Sequence, residues 1–228
     1  MERRGFLEKT MGVGVGLWAL ARGRRALAKS LPSDAGAAAA ASPETMALPG
    51  FAKDSPFPLD QALLKRASIR SFDPEAKLSP ELLSRLLWAT TGANREDGHR
   101  TTPSAMARYP VSLYLALPEG VFLFEPKGHK LTKVKGVDIR GEVPLQPNFK
   151  KAAMLALYVH NQSMAAGADD SWADLEIGCM VQNLYLKAAA EGLGSCVFAL
   201  VRTDKASELM GLKKNQKLRI AQAVGPIK

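Results

Sequence analysis

Between residues 57 and 228 the spacing of apolar side chains changes from helical to alternating and back. Asp60 to Arg66 predicts a short helix with Leu63 and Leu64 as its buried side. Ser79-Pro80-Glu81 is a helix start, a capping serine followed by proline in the first turn, and Leu82, Leu83, Leu86 and Leu87 then recur at helical spacing up to Trp88. Val111 to Leu117 alternates as a strand, Glu119-Gly120 turns it into a second strand, Val121 to Phe124, and Lys130 to Lys135 makes a third. Ala152 to Val159 is a nearly continuous apolar run, the pattern of a strand buried on both faces. Ala173 to Ala190 predicts the longest helix, with Ile177, Met180, Val181, Leu184 and Ala188 on one stripe and Gly192 ending it. Ser195 to Val201 predicts a further buried strand, Asp204 to Met210 a helix and Leu218 to Val224 a last strand. Helices and antiparallel strands in this irregular order imply an α+β fold around one sheet.

Before residue 57 the pattern is different. Residues 29–56 have no apolar period and include five alanines from Ala37 to Ala41, which reads as a flexible linker or extended arm. Residues 1–28 read as an export signal: Arg3-Arg4 ahead of Phe6-Leu7 and Lys9, a short apolar run from Met11 to Ala21, then Ala26-Leu27-Ala28 as a small-x-small cleavage site. The paired arginine resembles the twin-arginine motif, whose machinery exports folded proteins; an ordinary secretory signal or an uncleaved anchor are the alternatives. Periplasmic localisation is the expectation. The leader also changes the meaning of the net charge of +9, because it holds six basic side chains against two acidic ones. The remaining 25 basic and 20 acidic residues give no argument for a nucleic-acid partner. About 170 residues are enough for one domain with its own core.

Three short segments carry candidate chemistry. Arg66-Ala67-Ser68-Ile69-Arg70 brings two guanidiniums and a hydroxyl to alternate positions of an extended segment, donors suited to a phosphate or a polarised carbonyl; a solvated basic face is the plainer reading. Thr101-Thr102-Pro103-Ser104-Ala105-Met106 is a small-residue loop ahead of a strand, open to a flat ligand or simply a surface loop. Gly192-Leu193-Gly194-Ser195 joins a helix end to a strand, and a helix cap accounts for it equally.

Taken together and in this order, these segments resemble the nitroreductase family of flavin enzymes. The first is similar to its amino-terminal R-x-S-x-R segment. The second, continued through Ala107-Arg108-Tyr109-Pro110 to Leu113-Tyr114, is closest to the branch that contains the azoline (thiazole- and oxazole-forming) dehydrogenases. Glu176-Ile177-Gly178-Cys179-Met180-Val181-Gln182-Asn183-Leu184 with Gly192-Leu193-Gly194, and the closing Val224-Gly225-Pro226, complete the likeness over roughly residues 57–228. The resemblance implies a mostly antiparallel sheet flanked by helices and an intertwined homodimer with FMN at each subunit junction. By the same analogy Arg66 and Ser68 bind the phosphate, Arg70 lies near the reducible edge of the ring, and Pro103, Ser104, Ala105 and Met106 lie on the ring. The backbone of Phe198, Ala199 and Leu200 faces N5, and Lys228 is a second cation for the phosphate.

The implied activity is electron transfer through FMN to a small organic acceptor (a nitroaromatic, quinone or enone), with NAD(P)H as donor by family analogy. A flavin-binding or redox-sensing module with little turnover is the alternative. No acid–base residue and no metal site is expected. Ala107 stands where the family's other main branch has Asn, Glu176 replaces Asp and Cys179 replaces His. The Lys-Tyr pair of azoline dehydrogenases is missing ahead of the long helix, which argues against azoline oxidation. Asp169 and Asp170 read as a solvated loop, Cys179 and Cys196 as core thiols rather than a disulfide, and Trp88, Trp172 and Tyr185 as core or dimer-contact residues.

Overall fold

The structure, a computed structural model, describes residues 43–53, 57–165 and 170–228. The expected leader, most of the expected linker and Asp169 lie outside the described residues. Among the described residues seven strands form one sheet: β1 (Thr45–Ala47), β2 (Val111–Leu117), β3 (Gly120–Glu125), β4 (Lys130–Lys135), β5 (Met154–Asn161), β6 (Gly194–Phe198) and β7 (Gln216–Gly225). Their order is β1-β4-β3-β2-β5-β7-β6, and every ladder is antiparallel. Four helices of the described residues flank it: α1 (Leu59–Lys65), α2 (Pro80–Thr91), α3 (Ser171–Ala190) and α4 (Thr203–Met210). The α+β expectation holds.

Alternation along the central strands divides the core in two. Leu113 and Leu115 of β2 and Met154, Ala156 and Tyr158 of β5 pack with Leu86 and Leu87 of α2 and Met180 and Leu184 of α3. Their neighbours Tyr114, Ala116, Leu155, Leu157 and Val159 point the other way, onto Ile139, Phe149 and the α4 residues Ala206 and Met210. Both faces of β5 are therefore covered, which is why its sequence is an unbroken apolar run.

Local signals set the helix limits. The Ser79 hydroxyl accepts the Leu82 amide at 3.2 Å with Pro80 in the first turn, the cap the sequence predicts. Gly211, at φ 66°, ends α4 in the left-handed region. A register shift in the β5–β7 ladder pairs Tyr158 with Ile220 and Val159 with Leu218, leaving Arg219 as the extra residue of a bulge. Its guanidinium reaches Asp170 at 3.1 Å and Asp174 at 2.7 Å, tying the start of α3 to the sheet.

Three expectations need correction. Leu63 and Leu64 are 50% and 78% exposed, and the buried side of α1 is Ala62. In a helix of seven residues both sides are apolar, and the one that packs toward α3 carries the small Ala62. The strand from Ser195 stops at Phe198 rather than Val201, since the Val201 amide turns back onto the Ala199 carbonyl at 2.9 Å. Residues 45–47, inside the expected linker, pair with β4 at the sheet edge, and Leu48 behind them joins the core.

Candidate functional site

The arginine-rich segment is fastened to the edge of β6. The Ile69 amide donates to the Ser195 carbonyl at 2.9 Å, and Phe72 pairs with Ile227. Gly194 makes this contact possible, because a Cβ there would stand 2.8 Å from Ile69 Cγ2. Arg66 caps α1 through its amide, bonded to the Ala62 carbonyl at 2.9 Å. Its guanidinium lies 5.4 Å from the centre of the Tyr185 ring. The Tyr185 hydroxyl accepts the Val197 amide at 2.8 Å and pairs with Ser68 Oγ at 3.1 Å. One buried phenol of α3 thus holds Arg66, Ser68 and β6 together.

Arg70 is exposed; its Nη1 donates to the Ser68 carbonyl at 3.3 Å, and Asn148 Nδ2 donates to the Arg70 carbonyl at 3.2 Å. Phe149, next to Asn148, stacks on Phe198 with ring centres 4.4 Å apart. That stack keeps the Phe198 side chain inside the core, while Ala199 and Leu200 after it are exposed. Lys228 is exposed and follows Ile227, which lines a 240 Å³ cavity with Lys65, Ala67, Ile69, Tyr185 and Ser195. Among the described residues none of Arg66, Arg70 and Lys228 has a carboxylate partner. Unpaired cations beside a hydroxyl fit a phosphate.

The Pro103–Met106 loop is organised otherwise. Met106, Ala107 and Tyr109 all have positive φ (54°, 53° and 49°), a conformation that non-glycine residues rarely adopt and that must be held by its surroundings. Ser104 does much of the holding: its Oγ accepts the Tyr109 amide at 2.8 Å and donates to Glu176 Oε2 at 2.5 Å. Glu176 is 2% exposed, and its other oxygen has no hydrogen-bond partner. Burial pushes its pKa up; the Ser104 bond, the Arg100 charge and the nearby Val111 amide pull less strongly the other way. Met106 projects outward, 75% exposed, with Pro103 also exposed and Ser104 and Ala105 half-buried.

Among the described residues these two clusters line separate cavities. Glu176 and Tyr185 are nine residues apart on α3, half a turn round the helix and about 13 Å along it. The cavities beside them have no lining residue in common. Tyr185, Asn148 and Arg100 were not picked out by sequence as site residues. For Tyr185 the available signal was its place directly after Gln182-Asn183-Leu184 on the long helix.

Other sequence candidates settle simply. Asp170 pairs with Arg219, Cys179 and Cys196 are free thiols, and Trp172 is 53% exposed. Among the described residues no His, Cys, Asp or Glu cluster could hold a metal ion, and no helix is long and apolar enough to cross a membrane.

Comparison with known proteins adds an independent line. The model of the nitroreductase family matches residues 63–226. A Methanocaldococcus jannaschii protein provisionally named a nitroreductase is 26% identical over 170 residues, 68% of this chain and 85% of its own length. A crystal structure from Ralstonia eutropha, also provisionally named a nitroreductase, superposes with a TM-score of 0.74 at 29% identity, covering 81% of this chain and 90% of that one. A further one, from Desulfovibrio desulfuricans and in complex with FMN, has a TM-score of 0.55 at 20% identity over 75% of this chain and 86% of its own. At that identity the last likeness concerns the fold alone.

Proposed function

The chain belongs to the nitroreductase family of oxidoreductases, and from that premise we propose that it is an exported, FMN-dependent oxidoreductase working as a homodimer. The observation that carries the cofactor assignment is the set of Arg66, Ser68, Arg70 and Lys228, cations without carboxylate partners and a hydroxyl, of which Arg66 and Ser68 are fixed from behind by Tyr185. Arg66, Ser68 and Lys228 would hold the phosphate, and Arg70 would place positive charge near the reducible edge of the ring. Among the described residues the exposed amides of Ala199 and Leu200 have no backbone acceptor, which leaves donors for a polar ring atom. When bound, FMN would supply two-electron redox chemistry toward a small organic acceptor such as a nitroaromatic, quinone or enone. The chain's own part is to bind, orient and supply fixed charge.

Dimerisation is supported by what one chain leaves open. Leu59, Leu63 and Leu64 of α1, Trp172 and Leu175 of α3, and Met106 are all at least half exposed, apolar side chains that a second copy would cover. A second copy that covered them would also bring its own Pro103–Met106 loop toward a cofactor held at Arg66–Arg70. The motif through Ala105, Tyr109 and Pro110 resembles that of the azoline dehydrogenase branch. The paired arginine of the leader supports twin-arginine export to the periplasm, so a donor other than cytoplasmic NAD(P)H is needed there. The test is a visible spectrum of the purified full chain with an FMN titration. A yellow protein, or stoichiometric FMN uptake by a dimer, is expected; a colourless protein that refuses FMN overturns the reading.

A further inference from the structure

Beside the Pro103–Met106 loop lies a 430 Å³ cavity whose wall includes Arg95, His99, Arg100, Thr101, Ser104 and Tyr109. Apart from Pro103 and Ser104, none of the residues lining it is assigned to the flavin. Its outer wall is the 94–99 loop, closed by the Ala93–Arg100 bridge and by the Asn94 amide on the His99 carbonyl at 3.0 Å. The wall carries the guanidiniums of Arg95 and Arg100 and the imidazole of His99.

Arg100 is the unusual member. Its side chain is half-buried, and its guanidinium lies 4.2 Å from the centre of the Tyr109 ring, whose hydroxyl accepts the Arg100 amide at 3.2 Å. The residue is therefore held at both backbone and side chain. Yet among the described residues the guanidinium has neither a hydrogen-bond acceptor nor an ion-pair partner, although burial opposes its charge. Of the acids nearby, Asp97 pairs with His99 Nδ1 at 2.8 Å, and Glu176, which accepts the Ser104 hydroxyl, attracts the Arg100 charge without coming within ion-pair distance. Glu96, on the same loop, does not line the cavity. An arginine held in place, stripped of part of its water and given no acceptor fits a ligand that brings one.

We propose that this cavity recognises a carboxylate on the organic substrate, gripped by the Arg100 guanidinium with Arg95 at the rim. A planar fork of N–H donors matches a carboxylate in bidentate fashion, and 430 Å³ suits a small aromatic acid. The cavity shares Pro103 and Ser104 with the loop assigned to the flavin, so an acid anchored here leaves its reducible end beside the cofactor. The redox half of this inference rests on the proposed flavin function; the binding half does not.

The experiment is calorimetric titration of the full chain, with and without FMN, using 4-nitrobenzoate and its neutral counterpart 4-nitrobenzamide, followed by the KM of each on the FMN-loaded protein. The wild-type protein is expected to bind the carboxylate at least about tenfold more tightly, the worth of one charge-assisted hydrogen bond. That comparison needs no variant. In R100Q the preference should fall to within about threefold, and in R100K, which keeps a charge but loses the fork, it should be intermediate. Equal affinity for the two probes in wild type, or an undiminished preference in R100Q, overturns the proposal. So does loss of FMN uptake in R100Q without any carboxylate preference in wild type, since the cavity would then belong to the cofactor. A protein that refuses FMN but still prefers the carboxylate through Arg100 keeps this site and discards the flavin reading. One that takes FMN without preference does the reverse.

Discussion

Helix α3 holds a loop near each end, and it does so by opposite means. Toward its carboxyl end Tyr185 presents a hydroxyl whose bonds to Val197 and Ser68 are both made, so the Arg66–Arg70 segment lies in an ordinary extended conformation with only its cations unpaired. Toward its amino end Glu176 presents a buried carboxyl with one oxygen bonded and one orphaned, beneath three left-handed non-glycine residues. The first arrangement is complete in a single chain and needs only an anion. The second stores backbone strain and unsatisfied polar atoms, features that collect where a ligand or partner supplies the missing contacts.

The comparison is most easily broken at Ser104. In S104A the buried Glu176 Oε2 loses its donor and the Tyr109 amide its acceptor, in a loop that already carries strain. The expected loss is about 3 kcal/mol in urea unfolding, the sum of an unsatisfied buried carboxyl and an unsatisfied amide. A loss below about 1 kcal/mol would mean that the loop is not held through Ser104.

At the other end Y185F removes one oxygen and keeps the ring beneath Arg66. Ser68 is exposed and takes water in exchange, so only the Val197 amide is left short. About 1–2 kcal/mol of stability should go, together with a roughly tenfold weaker FMN affinity in a fluorescence titration. If Y185F proves the more destabilising of the two variants, the contrast between the ends is reversed.

What the sequence reveals follows the same division. The limits of β2 and β4 can be read to the residue, because alternation and burial are written locally. β5 is legible as a continuous apolar run for the same reason. The side of α1 that faces inward is not legible, since seven residues with leucines on both sides do not say which side meets the protein. The pairing of β1 is hidden too: three exposed residues show no period, and their partner lies more than eighty positions away. In the site, Arg66, Ser68 and Arg70 stand out by type and spacing. Tyr185 does not, because its contact with Ser68 spans 117 positions. The left-handed turn at Met106, Ala107 and Tyr109 is invisible because no glycine marks it.

The smallest effect, and the sharpest probe of the amino end, is the pH dependence of E176Q. Burial raises the Glu176 pKa above its ordinary value in the folded protein. A carboxyl raised in this way contributes stability that is full below its unfolded pKa and is lost as pH climbs through the folded one. The wild-type protein should lose that contribution as pH rises from the ordinary carboxylate range through the raised value of the folded protein. The amide side chain of E176Q has no proton to lose in this range and can still accept the Ser104 hydroxyl. The difference in unfolding free energy, variant minus wild type, should therefore grow more positive with pH, within about 1 kcal/mol overall. The Tyr185 end supplies the control, because the Ser68–Tyr185–Val197 bonds involve no carboxylate and the Y185F penalty should be level across the same range. A flat E176Q profile would show that the Glu176 carboxyl is as fully satisfied as the Tyr185 hydroxyl, and the asymmetry between the two ends of α3 would disappear.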